Sequence, residues 1–311
     1  MKINLLDLFS GIGGFHLGLQ KAGFKVNSYN SEIDKYAIEV YKHNFKNSTY
    51  VKSVKDVQSK QLPKIDAITF GSPCQDFSLA GKRKGMQGNR SSLISEAIRL
   101  IIECKPRFFI WENVKGTFST NSGEDFWAII QAFANIGNYR LEWQLLNTMW
   151  FLPQNRERIY LVGYIAGKSR GQVFPIRERI ETNTTPKRKG DTSSCITATY
   201  GRGVAGGRQH IKVISKDTKD VIGDFRYDEG YRERKNGNSP TLRANTSEIP
   251  IVNKIRRLTP IECERLQGFP DNWTKYGTKG MISDTQRYNM CGNAVTVDVV
   301  KAVSERLLKI L

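Results

Sequence analysis

A cysteine in a polar turn is the residue of this chain best suited to nucleophilic chemistry. Cys74 follows the apolar, strand-like run Ile65–Phe70 and is preceded by Pro73. A free cysteine is more often a small buried hydrophobe, but the stretch Gly81–Arg90 that follows is polar, glycine-rich and basic. A thiolate beside positive charge is a competent nucleophile. The pattern therefore predicts a reactive thiol at the carboxyl end of a strand.

An acid and two arginines flank later strands. Glu112 follows the apolar run Phe108–Trp111, which puts a carboxylate at the same sheet edge as Cys74. Arg156 and Arg158 alternate as the chain enters another apolar run, so their side chains can point the same way. Taken singly, these residues also fit a solvated strand end and a surface ion pair. Together they predict a pocket with a thiol, an acid and planar hydrogen-bond donors.

Histidine and metal chemistry are disfavoured. The chain has 3 histidines, and none stands beside a candidate nucleophile, which argues against a Ser-His-Asp or Cys-His mechanism. The cysteines form no CxxC pair, which argues against a disulfide framework or a cysteine zinc site. They are Cys74, Cys104, Cys195, Cys263 and Cys291. We expect no metal.

A glycine-rich turn ends the first strand-like run, Ile3–Phe9. Glycines at Gly11 and Gly13 let a ligand approach the backbone at the edge where open α/β folds bind nucleotides. The second run, Lys25–Asn30, is followed by Glu32, which is placed to accept hydrogen bonds from a ribose. A tight turn and an acid at a helix N-terminus are the alternatives.

Strand-like and helix-like segments alternate through the first 165 residues, which predicts a mostly parallel sheet with helices on both faces. The predicted strands are Ile3–Phe9, Lys25–Asn30, Ile65–Phe70, Phe108–Trp111, Leu141–Asn147 and Ile159–Tyr164. The predicted helices are Ile33–Asn44, Leu93–Glu103, Glu124–Ile136 (with Ser122 as N-cap and Gly137 after its end) and Val295–Leu311. After residue 167 the chain is rich in Gly, Ser, Thr and Arg, with short β-like pieces at Ile211–Ser215 and Ile249–Val252.

The charge balance favours a polyanionic partner. The chain carries 48 Lys and Arg against 30 Asp and Glu, a formal net charge of +18. Over half of this excess lies in residues 168–257. Nucleic acid fits such a field first and an anionic membrane surface second. No apolar run is long enough to span a bilayer, and we expect a cytoplasmic protein.

Six motifs in one order resemble the cytosine-5 DNA methyltransferases of bacteria and phages, over residues 5–300. They are Phe9-Ser10-Gly11-Ile12-Gly13-Gly14, Gly71-Ser72-Pro73-Cys74-Gln75, Glu112-Asn113-Val114, Gln154-Asn155-Arg156-Glu157-Arg158, the segment 257–270, and Gly292-Asn293-Ala294-Val295. The resemblance implies a Rossmann-like, S-adenosylmethionine-dependent methyltransferase domain and a smaller, loop-rich, β-containing target-recognition domain. We expect the first in residues 1–167 and 286–311 and the second in residues 168–285.

The same resemblance implies roles for the reactive residues. Cys74 would add to C6 of cytosine and so make C5 nucleophilic. Glu112 would contact the ring N3 and the exocyclic amine, helping N3 to carry a proton. Arg158, with Arg156, would orient Glu112 or the carbonyl of the base.

Cofactor and DNA contacts are implied in the same way. Phe9, Gly11 and Gly13 would surround S-adenosylmethionine, Glu32 would bind its ribose and Asp56 its adenine amine, and Ile33, Pro73 and Asn293 would line the pocket. The target cytosine would be flipped out of double-stranded DNA. The predicted DNA-binding residues are Lys82, Arg83, Lys84, Thr241 and Arg243. The last two belong to Thr241-Leu242-Arg243-Ala244, which is similar to a short element of such recognition regions.

Several points stay open in the sequence. An RNA cytosine-5 methyltransferase, a dinucleotide oxidoreductase and a catalytically silent DNA-binding protein are the alternatives. The large basic segment favours duplex DNA over RNA, and the missing GxGxxG spacing argues against the oxidoreductase. We expect a monomer associated with the bacterial nucleoid, either paired with a restriction endonuclease or solitary.

Overall fold

The computed structural model describes residues 1–71, 93–118, 123–165, 171–177, 211–213, 223–226, 230–233 and 255–311. Within this part of the chain a seven-stranded sheet forms the centre, with strand order β3-β2-β1-β4-β5-β7-β6. The strands are β1 (Lys2–Leu8), β2 (Lys25–Ser31), β3 (Thr49–Tyr50), β4 (Ala67–Gly71), β5 (Phe108–Val114), β6 (Arg140–Asn147) and β7 (Glu157–Tyr164).

The sheet is mixed but mostly parallel. Strand β7 pairs antiparallel with both of its neighbours, β5 and β6, and the other six strands share one direction. The central strands are mainly apolar because both faces of the sheet are covered, with Asp7 of β1 and Thr69 of β4 as buried polar exceptions. The six predicted strands are confirmed with shifted ends, whereas the two-residue β3 carried no readable pattern.

Helices cover both faces, as the alternation predicts. The α-helices are α1 (Gly14–Lys21), α2 (Lys35–Asn44), α3 (Leu93–Cys104), α4 (Glu124–Ala134), α5 (Pro260–Leu266), α6 (Asp284–Asn293) and α7 (Val297–Ile310). On one face Phe15 and Leu19 of α1 and Val303 of α7 pack against Leu5 of β1. On the other face Leu100 of α3 and Phe133 of α4 pack against Phe70 of β4. The core is thus a three-layer sandwich.

The ends of the predicted helices are mostly right. Gly137 adopts a φ of 73° just after α4, as expected for a residue that terminates a helix. The N-cap of α4 is Gly123, with a φ of 88°, so the prediction of Ser122 as N-cap was wrong by one residue. The pattern missed α1, α5 and α6. Helix α1 is only 8 residues long and begins inside the glycine turn, which hides its periodicity.

Residues 258–285 pack against the first part of the chain. Helix α5 begins with a capping box between Thr259 and Glu262. Beyond it, the indole N–H of Trp273 donates to the carbonyl of Ile12, and Asn44 donates to the carbonyl of Trp273. The division of the chain at residue 286 stays a prediction, and these contacts favour an earlier boundary.

Four short strands are described within the basic segment. They are β8 (Ile211–Val213), β9 (Gly223–Arg226), β10 (Gly230–Glu233) and β11 (Ile255–Arg257). They pair antiparallel as β8 with β11 and β9 with β10. The β-like piece predicted at Ile211–Ser215 is confirmed, and the piece at Ile249–Val252 lies outside the described residues. Among the helices described, none is long and apolar enough to cross a membrane.

Candidate active site

The candidate site lies at the carboxyl edge of the parallel strands. Strand β1 ends before Phe9, β2 before Glu32, and β4 at Gly71, while Glu112 lies within β5 opposite Gly71. Because parallel strands end at one edge, motifs far apart in sequence meet there. The predicted strand Phe108–Trp111 was too short, since β5 continues to Val114.

The glycine turn has a left-handed backbone at alternate residues. The φ angles are 51° at Phe9, 52° at Gly11 and 86° at Gly13. A Cβ at Gly13 would lie 2.3 Å from Cε2 of Phe45, so glycine is required there for both conformation and space. At Gly11 the space is open, with no atom within 4 Å of an ideal Cβ. The turn is therefore packed from below at Gly13 and accessible at Gly11.

Glu32 ties the end of β2 to the glycine turn. Its Oε2 accepts a hydrogen bond from the backbone N–H of Gly11 at 2.8 Å. Its Oε1 accepts from the N–H groups of Ile33 at 2.7 Å and Asp34 at 3.0 Å. Because each carboxylate oxygen can accept two hydrogen bonds, Oε2 keeps one acceptor position. The carboxylate can thus hold the turn and still bind a hydroxyl.

Asp56 lies on the same side of the site as Glu32. The Tyr50 hydroxyl donates to the backbone carbonyl of Glu32 at 3.0 Å. Burial, and then the negative charges of Glu32 and Asp56, raise the pKa of Tyr50 above its usual value. Ile33, the residue after Glu32, is 80% exposed. The predicted ribose, adenine and apolar contacts therefore cluster at the end of β2.

Glu112 forms an ion pair with Arg158. Oε1 of Glu112 lies 3.1 Å from Nε of Arg158, and the two side chains are 11% and 18% exposed. Oε2 of Glu112 would lie 3.2 Å from a Cβ built on Gly71. The carboxylate is therefore mostly buried and stands against the residue that ends β4. The Glu112 carboxyl group is therefore placed to accept a proton from a bound base or to donate one to it.

Arg156 makes different contacts from Arg158. Its guanidinium is buried and donates to the backbone carbonyls of Gly292 at 3.2 Å and Ala294 at 2.9 Å. These carbonyls flank Asn293, whose side chain is exposed at the end of α6. Arg156 therefore fixes the backbone on both sides of Asn293. A role of Arg156 on Glu112 stays a prediction.

Comparison with known proteins identifies the family. A family model described as C-5 cytosine-specific DNA methylase matches residues 3–309. The chain belongs to this family. Type II methyltransferase M1.ScrFI of Lactococcus lactis subsp. cremoris is 34% identical over 319 residues, covering 100% of this chain and 79% of the relative. Type II methyltransferase M.Bsp6I of Bacillus sp. (strain RFL6) is 31% identical over 319 residues, covering 99% of each.

The fold is shared with solved structures of low sequence identity. The crystal structure of S. pombe Dnmt2 methyltransferase matches with a TM-score of 0.68 at 19% identity, over 99% of each chain. At this identity the likeness concerns the fold alone. It confirms the Rossmann-like architecture expected of a C-5 cytosine-specific DNA methylase.

Some predicted site residues lie outside the part of the chain that the structure describes. They are Pro73, Cys74, Lys82, Arg83, Lys84, Thr241 and Arg243. Cys74 follows Gly71 by three residues in the sequence, and Gly71 stands against the Glu112 carboxylate. The part of the site that the structure describes therefore ends at Gly71, the first residue of the motif that contains Cys74.

Two motif residues to which the sequence analysis assigned no role, Val295 and Gln154, also contribute to the site. Val295 fills the space between the two glycine segments, because Cβ atoms on Gly14 and Gly71 would lie 2.6 Å and 3.9 Å from its methyl groups. Gln154 donates to the carbonyl of Leu266 at 3.0 Å. Gln154, Arg156 and Arg158 thus contact three different elements, which their alternation in the sequence does not indicate.

Proposed function

We propose that this protein transfers a methyl group from S-adenosylmethionine to C5 of cytosine in double-stranded DNA. The observation that carries the proposal is the Glu112 carboxylate, held by Arg158 against the end of β4. Cys74 follows that strand end by three residues. An acid and a thiol in this relation can act on opposite parts of one pyrimidine ring.

Cys74 is the proposed nucleophile. Its thiolate adds to C6, which makes C5 electron-rich, because C5 of cytosine alone is too weak a nucleophile to take a methyl group. After methylation, loss of the C5 proton to a base returns an electron pair to the ring and expels the Cys74 thiolate. As the C6–S bond breaks, the N3 proton returns to Glu112, so that the ring is neutral again and both Cys74 and Glu112 are back in their starting states.

Glu112 is the proposed proton donor to N3. As the thiolate adds, negative charge develops on the ring, and a proton at N3 neutralises it. Arg158 keeps the carboxylate in place through the contact with Oε1. The second oxygen, Oε2, remains available to face a base.

The edge of β1 and β2 fits S-adenosylmethionine. When bound there, the cofactor would supply a methyl group made electrophilic by its sulfonium. Phe9, Gly11 and Gly13 would surround it, because the space at Gly11 is open. Glu32 has one free acceptor position for a ribose hydroxyl. The other proposed cofactor contacts are Ile33, Asp56, Pro73 and Asn293.

DNA contacts are proposed from charge and sequence. Lys82, Arg83 and Lys84 precede α3, and Thr241 and Arg243 belong to the basic segment. Extruding a cytosine from the duplex costs a few kcal/mol of unstacking, and phosphate contacts offset this cost. Binding should therefore weaken strongly as salt concentration rises.

The biological setting is proposed from the relatives. M1.ScrFI and M.Bsp6I are both named Type II methyltransferases. We infer that this protein is the modification partner of a restriction endonuclease or a solitary enzyme of the same kind. We also propose that it acts as a monomer at the nucleoid.

A methyl-transfer assay with labelled S-adenosylmethionine tests the proposal. The purified full chain is given duplex DNA or transfer RNA, and Cys74→Ala serves as the control. We expect label in duplex DNA only, and none with the variant. Bisulfite sequencing of DNA from expressing cells should then show 5-methylcytosine at one short sequence. Methylation of RNA alone, or of adenine, would contradict the proposal.

A further inference from the structure

A chain of buried hydrogen bonds runs beneath the glycine turn. Thr69 Oγ1 donates to Oδ1 of Asp7 at 2.7 Å, and the Tyr41 hydroxyl donates to Oδ2 of Asp7 at 3.3 Å. The same hydroxyl lies 3.0 Å from Nδ1 of His16. All four residues are at most 3% exposed. They come from β4, β1, α2 and α1, so the chain connects four of the elements around the site.

The buried chain touches the glycine turn through aromatic rings. A Cβ on Gly13 would lie 3.1 Å from Cε2 of Tyr41 and 2.3 Å from Cε2 of Phe45. The ring of His16 stacks on Phe45, with centroids 3.7 Å apart. The left-handed backbone at Gly13 therefore rests on rings whose positions depend on the Tyr41 hydroxyl. Asp7 is completely buried, so it can influence a ligand only through the turn.

Burial also sets the charges of this chain. Desolvation raises the pKa of Asp7 to about 8, and the charge of Glu32 adds to this, although the hydrogen bonds from Thr69 and Tyr41 act in the opposite sense. Desolvation lowers the pKa of His16 to about 3. Asp7 has no ion pair with any residue described. At neutral pH the buried chain is therefore mainly uncharged, which suits its dry surroundings.

We propose that Asp7 and Tyr41 are positioning residues that hold the turn at Gly11 and Gly13 in the conformation that binds the cofactor. This inference rests on the proposed function, since it assumes that the turn binds S-adenosylmethionine. Neither residue touches the cofactor. Tyr41 supports the turn with its ring, and Asp7 fixes the ring through the hydroxyl.

Binding of S-adenosylhomocysteine, measured by calorimetry on the full chain, tests the proposal. Tyr41→Phe keeps the ring against Gly13 and removes only the hydroxyl. The matched control is Tyr164→Phe, because the Tyr164 hydroxyl also donates to a carboxylate, that of Glu142, at the far side of the sheet. We expect Tyr41→Phe to weaken binding about tenfold, the effect of one lost hydrogen bond, and Tyr164→Phe to leave it unchanged.

A purely structural role gives a different result. Both variants would then be less stable to urea, and both would bind like the wild type, which would overturn the proposal. If the wild type itself bound no S-adenosylhomocysteine, the proposed function would fail together with this inference. Normal binding by both the wild type and Tyr41→Phe would contradict this inference but not the proposed function.

The pH dependence of binding, compared between the wild type and Asp7→Asn, supplies a second readout. Above about pH 8 Asp7 ionises in the folded protein, and a buried charge without a cationic partner disrupts the support of the turn. Wild-type affinity should therefore fall as pH rises through this value. Asp7→Asn, which stays neutral, should lose that dependence. Identical pH profiles for the two proteins would contradict the proposal.

Discussion

The two halves of the sheet edge are built in different ways. At the ends of β1 and β2 the structure uses backbone: left-handed residues, open space at Gly11, and N–H groups that bind Glu32. At β5 and β7 it uses charged side chains, with the Glu112–Arg158 pair mostly buried. The first arrangement suits a cofactor that keeps one position in the site while it reacts. The second suits a substrate on which charge develops during reaction.

The difference separates binding from catalysis. Changes in the β1 and β2 half should affect cofactor affinity and folding, and changes in the β5 and β7 half should affect the rate of methyl transfer. Variants that affected both equally would show that the two halves act as one unit.

Glu112→Gln should have the largest effect. An amide cannot donate the proton that N3 needs, and general acid–base groups contribute about 10²–10⁴-fold to rate. We expect the single-turnover rate to fall by about this factor, with S-adenosylhomocysteine binding unchanged. Glu157→Gln, which alters a neighbouring carboxylate bound to Lys115, is the control. A variant as fast as the wild type would exclude Glu112 from the chemistry.

Arg158→Ala should have a smaller effect on the same rate. The variant retains the Glu112 carboxylate but removes the guanidinium that holds it from 3.1 Å away. Without the ion pair the carboxylate can shift, and a misplacement of about 1 Å can cost about 100-fold in rate, so we expect a loss of roughly 10- to 100-fold. Arg140→Ala, which breaks the ion pair with Glu142 at the sheet edge, should leave the rate unchanged. Equal losses of rate in both variants would mean that Arg158→Ala slows the reaction only by destabilising the fold.

Gly13→Ala should act on the cofactor half. The new Cβ meets Phe45 in addition to the strain of a left-handed backbone. Gly137, the control position, has a similar φ of 73°, but no atom lies within 4 Å of an ideal Cβ built there. Gly137→Ala should therefore cost only the strain of the left-handed backbone, about 1–2 kcal/mol. Urea unfolding should show a larger loss for Gly13→Ala, and calorimetry should show lost cofactor binding in that variant alone. Equal unfolding losses would argue against close packing below the turn.

His16→Asn should have the smallest effect, confined to acid. Since the pKa of His16 is lowered to about 3 from 6.5, the unfolded chain binds this proton first as pH falls. Its contribution to stability is complete above pH 6.5 and is lost as pH falls from there towards 3. The variant should lose less stability than the wild type over that window. His43→Asn, at an exposed position on α2, is the control, and an unchanged acid slope in His16→Asn would contradict the account.

The sequence predicted the parts of the molecule that depend on local pattern. The strands, the glycine turn and the acid after β2 follow from runs of apolar residues and from glycine spacing. The sequence did not predict helix α1 or strand β3. Helix α1 begins inside the glycine turn, which hides its periodicity, and the two residues of β3 are too few to show an alternation. The left-handed φ of Phe9 was not predicted either, because such a conformation is rare in residues other than glycine.

Long-range contacts explain the remaining gaps. Nothing in the order of residues indicates that Arg156 binds the carbonyls around Asn293, 137 positions away, while Arg158 binds Glu112. The buried chain of Asp7, Tyr41 and His16 was also not foreseen. A sequence cannot show that these polar side chains on different elements meet in the core.

A covalent complex with 5-fluorocytosine DNA tests the central claim most directly. Fluorine at C5 cannot leave as a proton does, so the thiolate added at C6 cannot be expelled. Incubation of the full chain with S-adenosylmethionine and a fluorinated duplex should give a complex that survives denaturation, with the DNA attached at Cys74 by peptide mass analysis. Cys74→Ala should form none and transfer no methyl group. Full methyl transfer by Cys74→Ala, or attachment at another residue, would contradict the account.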